Sequence, residues 1–240
     1  MQTTMLSLFR FDRTSDRLWV LGQMGLARFQ MPRAKGLQFW KLCGTGTGEG
    51  FTPRPNWGVW AILTVWDSPA SAQAASRMAP FSHWAARASE SYTLRLAPLS
   101  ARGQWAGQSP FSPSATAASQ AASQGPIAAL TRASVKLGHA LQFWGRVPDI
   151  SAKIGQDPAV LFKIGIGEVP LLHQVTFSVW PDATSMAAFA RRGAHAEAIR
   201  AVRDNGWFAE ELYARFQVLG TEGRWHGHDP IARHLAQEAA

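Results

Sequence analysis

The stretch HQVTFSVWPDATSMAAF, His173 to Phe189, carries a strand and the start of a helix side by side. Val175, Phe177 and Val179 alternate with Thr176 and Ser178, the period of a strand that buries one face. Asp182 then stands as an N-cap, and Met186, Phe189 and Ala190 continue at helical spacing. The helix is expected to break near Gly193, resume through Ile199 and Val202, and stop at Asn205-Gly206. Beyond it Leu212, Ala214, Phe216 and Val218 alternate with Tyr213, Arg215 and Gln217, a second strand. Upstream, Ile127 to Val135 reads as a strand, Leu137 to Ile154 as a helix and Ala159 to Ile166 as a strand. Strand, helix, strand, strand, helix, strand is the ferredoxin-like βαββαβ order, in which the helices cover only one face of the sheet.

The same signals occur earlier in the chain. Lys41-Leu42, GTGE (Gly46 to Glu49), TVWD (Thr64 to Asp67) and GQWAG (Gly103 to Gly107) precede Lys163-Ile164, GIGE (Gly165 to Glu168), SVWPD (Ser178 to Asp182) and GRWHG (Gly223 to Gly227) in the same order. This is an internal repeat. Between the copies, QSPFSPSATAASQAASQG, residues 108 to 125, is uncharged and without apolar period, and reads as a linker. The expected organisation is an N-terminal repeat over 1–107, the linker over 108–125, a C-terminal repeat over 126–227 and a tail over 228–240. The expected fold class is α+β: two ferredoxin-like βαββαβ repeats whose bare sheet faces pack on each other as a pseudo-dimeric α/β barrel.

Composition narrows the function. Charged residues are 17% of the 240, against roughly 25% in ordinary soluble domains, while Trp (11) and Phe (13) are abundant. So much aromatic surface must be hidden in a core, against an apolar ligand or against lipid. A net charge of +8 and a pI near 10.5 favour nucleic acid, anionic lipid or an acidic protein as partner. The single Cys43 excludes an internal disulfide framework and a chain-borne iron-sulfur cluster, and fits a reducing compartment. Arg10, Asp12 and Arg13 after a short apolar run do not resemble a signal peptide. The most apolar stretch, Trp57 to Trp66, is about half the length of a membrane-spanning helix. A cytoplasmic protein with at most peripheral membrane contact is expected.

Several candidate motifs carry little. GTGTGEG, residues 44 to 50, lacks the spacing of a dinucleotide loop and the Gly-Lys-Ser/Thr of a P-loop, and reads as a connection between strands. A redox enzyme of this sequence would therefore draw its electrons from outside the chain. His226, His228 and His234, with Asp229, could space a metal, but the segment is polar and close to the end. Cys43 reads as a small buried hydrophobe, and His173 and His139 as structural residues. His195 differs, because it shares one helix face with Ile199 and Val202, the face expected to look inward.

Longer strings carry a family resemblance. RLWVLGQMG (17 to 25), FWKLCGTGTGEGFTP (39 to 53), ESYT (90 to 93), PIAALTRAS (126 to 134), VLFKIGIGEVP (160 to 170), QVTFSVWPDA (174 to 183), HAEAIRAVR (195 to 203) and ELYARFQVLG (211 to 220) together resemble the spheroidene monooxygenases, the acyclic carotenoid 2-ketolases of photosynthetic bacteria. The resemblance implies oxidation of spheroidene at C2 to spheroidenone by two hydroxylations of one carbon. It implies a b-type haem, O₂ as co-substrate, a separate reduced ferredoxin as electron donor, and peripheral contact with the anionic surface of the inner or photosynthetic membrane.

The resemblance also implies site residues. It makes His195, in the HAEAIRA string, the iron ligand and hence the metal, cofactor and catalytic residue. Aligning Thr64–Trp66 with Ser178–Trp180 sets Phe81 opposite His195, so the duplicated scaffold would carry one iron site, with His83 as the rival ligand. Trp40, Trp60, Trp66, Phe162, Phe177 and Trp180 are candidates for the walls of a polyene slot, or for plain core. Two other readings remain: a haem-binding barrel without carotenoid activity, and an RNA-binding βαββαβ module. The second lacks its signature, since neither GVWAILTVW nor HQVTFSVW carries a basic residue followed by alternating aromatics.

Overall fold

The computed structural model describes residues 1–48, 50, 52–113, 125–139, 144–145, 157–169, 171–191 and 207–236. The N-terminal half contributes β1 (Thr3–Arg10), α1 (Thr14–Gln30), β2 (Leu37–Gly46), β3 (Pro55–Trp66), α2 (Pro69–Ala75), α3 (Phe81–Arg87) and β4 (Glu90–Gly103). The C-terminal half contributes β5 (Ile127–Val135), β6 (Phe162–Gly167), β7 (His173–Trp180), α4 (Ala183–Arg191), β8 (Phe208–Gly223) and α5 (Ala232–Ala236). All neighbouring strands are antiparallel, and they close into one barrel in the order β1-β3-β2-β6-β7-β5-β8-β4. The α+β class is thus met by an eight-stranded antiparallel barrel. Each half forms an arc, β4-β1-β3-β2 and β8-β5-β7-β6, and the arcs meet at two seams.

Alternation along the strands separates two apolar layers. Leu6 and Leu8 of β1, Leu63 and Val65 of β3, Leu94 and Leu96 of β4, and Phe177 and Val179 of β7 point into the barrel and fill it. Met5 and Phe9 of β1, with Ile62 and Trp66 of β3, point outward against Val20 and Ala27 of α1 and Phe81 and Trp84 of α3. Burying a large apolar side chain contributes about 1.5–3 kcal/mol, so both layers hold the arcs in register.

The seams are unequal. β4 and β8 pair from Tyr92↔Gly223 to Gly103↔Leu212, whereas β2 and β6 share only Gly44↔Gly167 and Thr45↔Ile166. At the short seam the β2–β3 connection lies directly on β6. A Cβ at Gly50, whose φ is +92°, would stand 1.8 Å from the carbonyl oxygen of Gly165.

The sequence-predicted β5 is observed at its expected bounds, and β6 begins at Phe162 rather than Ala159. Asp182 caps α4, accepting a hydrogen bond of 2.7 Å from the backbone N–H of Ser185. Of the helix expected over 137–154, Leu137–His139 forms a 3₁₀ turn and Trp144 and Gly145 are helical, and its other residues lie outside the described ones, as do 192–206. Within the stretch read as linker, Phe111 is buried in the barrel with its ring 4.9 Å from that of Phe216. In the stretch read as tail, Ile231 is buried in the barrel and Asp229 accepts a hydrogen bond of 2.8 Å from the Tyr92 hydroxyl.

Candidate functional site

Each mouth of the barrel is corked by one of the two Gly-x-Trp-x-Gly loops. Trp105 bridges to Gln108 in one loop and Trp225 to His228 in the other, and the following residues, Ala106 and His226, adopt φ of 53° and 56°. That conformation turns two successive backbone N–H groups outward, and a carboxylate from the start of a strand in the other half receives them. Glu210 accepts from Ala106 and Gly107 at 2.9 and 2.7 Å, and Glu90 accepts from His226 and Gly227 at 3.1 and 2.6 Å. An arginine completes each cork: Arg132 pairs with Glu210 and lies 5.7 Å over the Trp105 ring, while Arg10 pairs with Glu90 at 3.0 Å and lies 4.6 Å over Trp225.

The corks differ in burial. Arg10 keeps 24% of its side chain exposed and Arg132 only 2%. Around Arg132 the charges balance: Glu168 pairs with Lys41 at 2.8 Å, accepts from the Trp105 indole N–H at 2.6 Å and stands 3.9 Å from Arg132. His173 lies 3.7 Å from Glu168, and burial holds its pKa below the usual histidine range against the pull of that carboxylate. Burial, reinforced by Glu168, pushes the Cys43 thiol far up, so this cysteine is a neutral core group and not a nucleophile. Glu210 is pushed up by burial but pulled down further by the Gly107 and Ala106 N–H groups and by Arg132, leaving it below the ordinary carboxylate range. The network seals one mouth and favours the anionic form of Glu210.

Two cavities flank the short β2–β6 seam. One, of about 370 Å³, has Val59, Phe162, Ile164 and Trp225 for walls and Arg10, Lys163, His226 and His228 at its polar side. The other, of about 220 Å³, is walled by Met24, Pro53, Trp60, Ile166 and Leu171, with Trp57 at the rim. Gln174, itself buried, also lines it, and among the described residues its side-chain N–H group has no partner.

The helix-covered outer faces of the two arcs differ in bulk. On the N-terminal arc the outward positions hold Met5, Phe9, Leu42, Trp60, Ile62 and Trp66. On the C-terminal arc, alternation from the inward Leu130, Ile164 and Phe177 leaves Ala129, Thr131, Ala133, Gly165, Thr176 and Ser178 outward. Trp180 and Phe189, with ring centres 5.0 Å apart, stand at one end of this small-residue face, where α4 leads toward residues 192–206.

His195 lies outside the described residues. Phe81, its counterpart in the repeat, is buried on α3 against Trp66, and His83 is exposed to solvent. The six aromatics named as candidate slot walls do not share one place. Phe162 and Phe177 lie inside the barrel, Trp40, Trp60 and Trp66 lie in the N-terminal helix layer, and Trp180 lies in the C-terminal one, because neighbours in a strand face opposite ways. His226 stacks its edge on Trp225 and meets the Arg10 guanidinium, His228 turns to the His226 carbonyl, and Asp229 is taken by Tyr92 and Thr221. Among the described residues no group of three His, Cys, Asp or Glu is placed to hold a metal. Sequence reasoning marked the two Gly-x-Trp-x-Gly strings as repeat markers but missed Arg132, Glu210 and Glu90, whose partners lie across the halves.

No family model matches the chain. It is 53% identical over 239 residues to spheroidene monooxygenase of Rhodobacter capsulatus, covering 99% of this chain and 98% of that protein. It is 52% identical to spheroidene monooxygenase of Cereibacter sphaeroides, covering 98% of this chain and 72% of that protein, and 35% identical to that of Rubrivivax gelatinosus, covering 88% and 80%. Among solved structures, an aldoxime dehydratase in complex with butyraldoxime superposes with a TM-score of 0.62 at 11% identity, covering 98% of this chain and 85% of that one. At that identity the likeness is one of fold alone.

Proposed function

The chain belongs to the spheroidene monooxygenase family, and from that premise we propose that it is a haem-dependent monooxygenase converting an acyclic carotenoid, spheroidene, to its 2-ketone. The observation that carries the reading is identity above half over nearly the whole chain. In this reading the barrel is a pseudo-dimer of two βαββαβ units, over 1–107 and 126–227, joined by a linker, and the C-terminal unit is the one that serves the haem. The contrast between arcs supports it. Ala129, Ala133 and Gly165 stand where the N-terminal arc carries Met5, Phe9 and Leu42, so less side-chain bulk lies on the outer side of the C-terminal sheet. In this reading the haem lies on the C-terminal arc and His195 is the iron ligand.

When bound, haem iron supplies O₂ activation, chemistry that none of the twenty side chains provides. The chain's own residues bind, orient and keep the site dry. The substrate carbon is hydroxylated twice, each round consuming one O₂, two electrons and two protons and releasing one water, and the resulting geminal diol loses water to give the ketone. The electrons come from a separate reduced ferredoxin, since the sequence has neither a dinucleotide fingerprint nor a cysteine cluster. The test is haem content of purified protein. One haem per chain in the wild type and its loss in His195→Ala is the expected result. A His195→Ala protein with full haem content and unchanged spectrum refutes the ligand.

A further inference from the structure

Among the described residues no helix is long and apolar enough to cross a membrane, yet α1 turns an apolar face to solvent. Leu18, Leu21, Leu26 and Phe29 are exposed at 65%, 39%, 47% and 69%; Leu18, Gly22, Gly25 and Phe29 follow one another along one row of the helix, with Leu21 and Leu26 flanking it. Gly22 and Gly25 have open space outside, so among the described residues no neighbour breaks the stripe. The opposite face carries the buried Val20 and Ala27, which pack on the barrel. A surface helix of a water-exposed protein carries charge on its outer face, and an apolar face on both sides marks contact with something else.

Charge says what covers it. Arg13, Arg28, Arg33 and Lys35 surround the stripe and are all exposed. Of the two acids nearby, Asp16 is held by Arg87 at 2.7 Å, which leaves Asp12 as the one carboxylate between residues 12 and 35 not engaged by an arginine. A second copy of the chain on this face would set these cations against their own images, because a two-fold contact pairs each patch with itself. An anionic bilayer meets both demands, taking the leucines and Phe29 into its acyl boundary and the cations at its head groups. The face continues into the smaller cavity: Met24 of α1 forms part of its wall, and Trp57, exposed at 55%, and the exposed Val169 and Leu171 ring its opening.

We propose that the outer stripe of α1, with the Trp57, Val169 and Leu171 rim, docks on an anionic lipid surface and turns the 220 Å³ cavity toward the bilayer as the entry for an apolar, lipid-dissolved substrate. The entry role rests on the carotenoid reading above, and the docking does not.

The probe is flotation of the purified full chain with vesicles of phosphatidylglycerol and phosphatidylcholine, or of phosphatidylcholine alone. Wild type should float with the anionic vesicles and release in high salt. Leu18→Ser/Phe29→Ser and Arg28→Glu/Lys35→Glu should each bind at least about tenfold more weakly with unchanged circular dichroism, since all four side chains are exposed. Arg102→Glu/Arg215→Glu, exposed on β4 and β8 outside the α1 stripe and equal in charge change, should bind as wild type does. Undiminished binding by the α1 variants, equal loss in the β4/β8 control, or a wild-type dimer that the α1 variants convert to monomer overturns the proposal. Turnover separates the two readings. With carotenoid in detergent micelles the α1 variants should match wild type, and with carotenoid in vesicles they should fall behind it. Oxidation in neither medium by a wild type that floats refutes the carotenoid reading and leaves the docking standing.

Discussion

Replacing Glu210 by Gln removes the anion that holds Arg132, and the mirrored Glu90→Gln removes the one that holds Arg10. The two variants lose the same pair of charge-assisted hydrogen bonds to a Gly-x-Trp-x-Gly loop, so that loss cancels in the comparison. What differs is the arginine left behind. Arg132 is 2% exposed, and stripping one partner from a buried pair costs about 3–5 kcal/mol. Glu168, 3.9 Å away, compensates in part and sets the expectation at the low end, about 3 kcal/mol. Arg10, 24% exposed and stacked on Trp225, keeps water as a partner, so its pair contributes about 0–1 kcal/mol. Urea unfolding should therefore place Glu210→Gln about 2 kcal/mol below Glu90→Gln at an unchanged m-value. The pH dependence carries the same signature. Glu210 is held below its ordinary 4.5 in the folded chain, so its contribution is complete above that value and is lost as pH falls through the lower folded one. The gap between wild type and Glu210→Gln should accordingly narrow in acid. Equal costs for the two variants, or a larger cost for Glu90→Gln, would refute the assignment of Arg132 as a buried, carboxylate-dependent cation.

On the proposed haem reading, haem lost in His195→Ala should be partly restored by free imidazole, because Ala suits the helix expected there while opening the expected ligand position, and His83→Ala should retain normal haem. Purified protein should not turn over with NADPH alone, and turnover with an acidic reduced carrier should fall as salt rises, read as initial rate against ionic strength. Gly50→Ala should lower stability by more than about 1 kcal/mol by thermal or urea unfolding, since φ is +92° and the new Cβ would meet the Gly165 carbonyl; an unchanged midpoint would show that the β2–β3 connection does not rest on β6.

The strands of the C-terminal half were legible because apolar residues alternate with polar ones. Val175, Phe177 and Val179 against Thr176 and Ser178 is the pattern of a strand that turns one face to the barrel core. Asp182 gave the start of α4 for the same local reason. What escaped were features made by partners far apart in the chain. Arg132 is a lone charge in an otherwise uncharged strand, and nothing near it in the sequence shows that it turns inward to Glu210 and Glu168. Phe111 sits in a stretch whose composition spells linker, and its burial depends on contact with Phe216 of β8, which no local pattern announces. The six aromatics read as slot or plain core divide between layers because residues such as Phe162 and Trp180, close in the fold, serve opposite faces of the sheet wall. The apolar outer stripe of α1 begins in RLWVLGQMG and runs on to Phe29, but sequence alone does not say which side of that helix the barrel takes.

The most direct test of the account is to express the chain in cells that accumulate spheroidene under air and to read the extracted pigments by mass. The account predicts a product that has gained one oxygen and lost two hydrogens at C2 in cells with the wild-type chain, and unchanged spheroidene in cells with His195→Ala. Folded, haem-loaded wild-type protein in cells whose spheroidene stays unoxidised would contradict it.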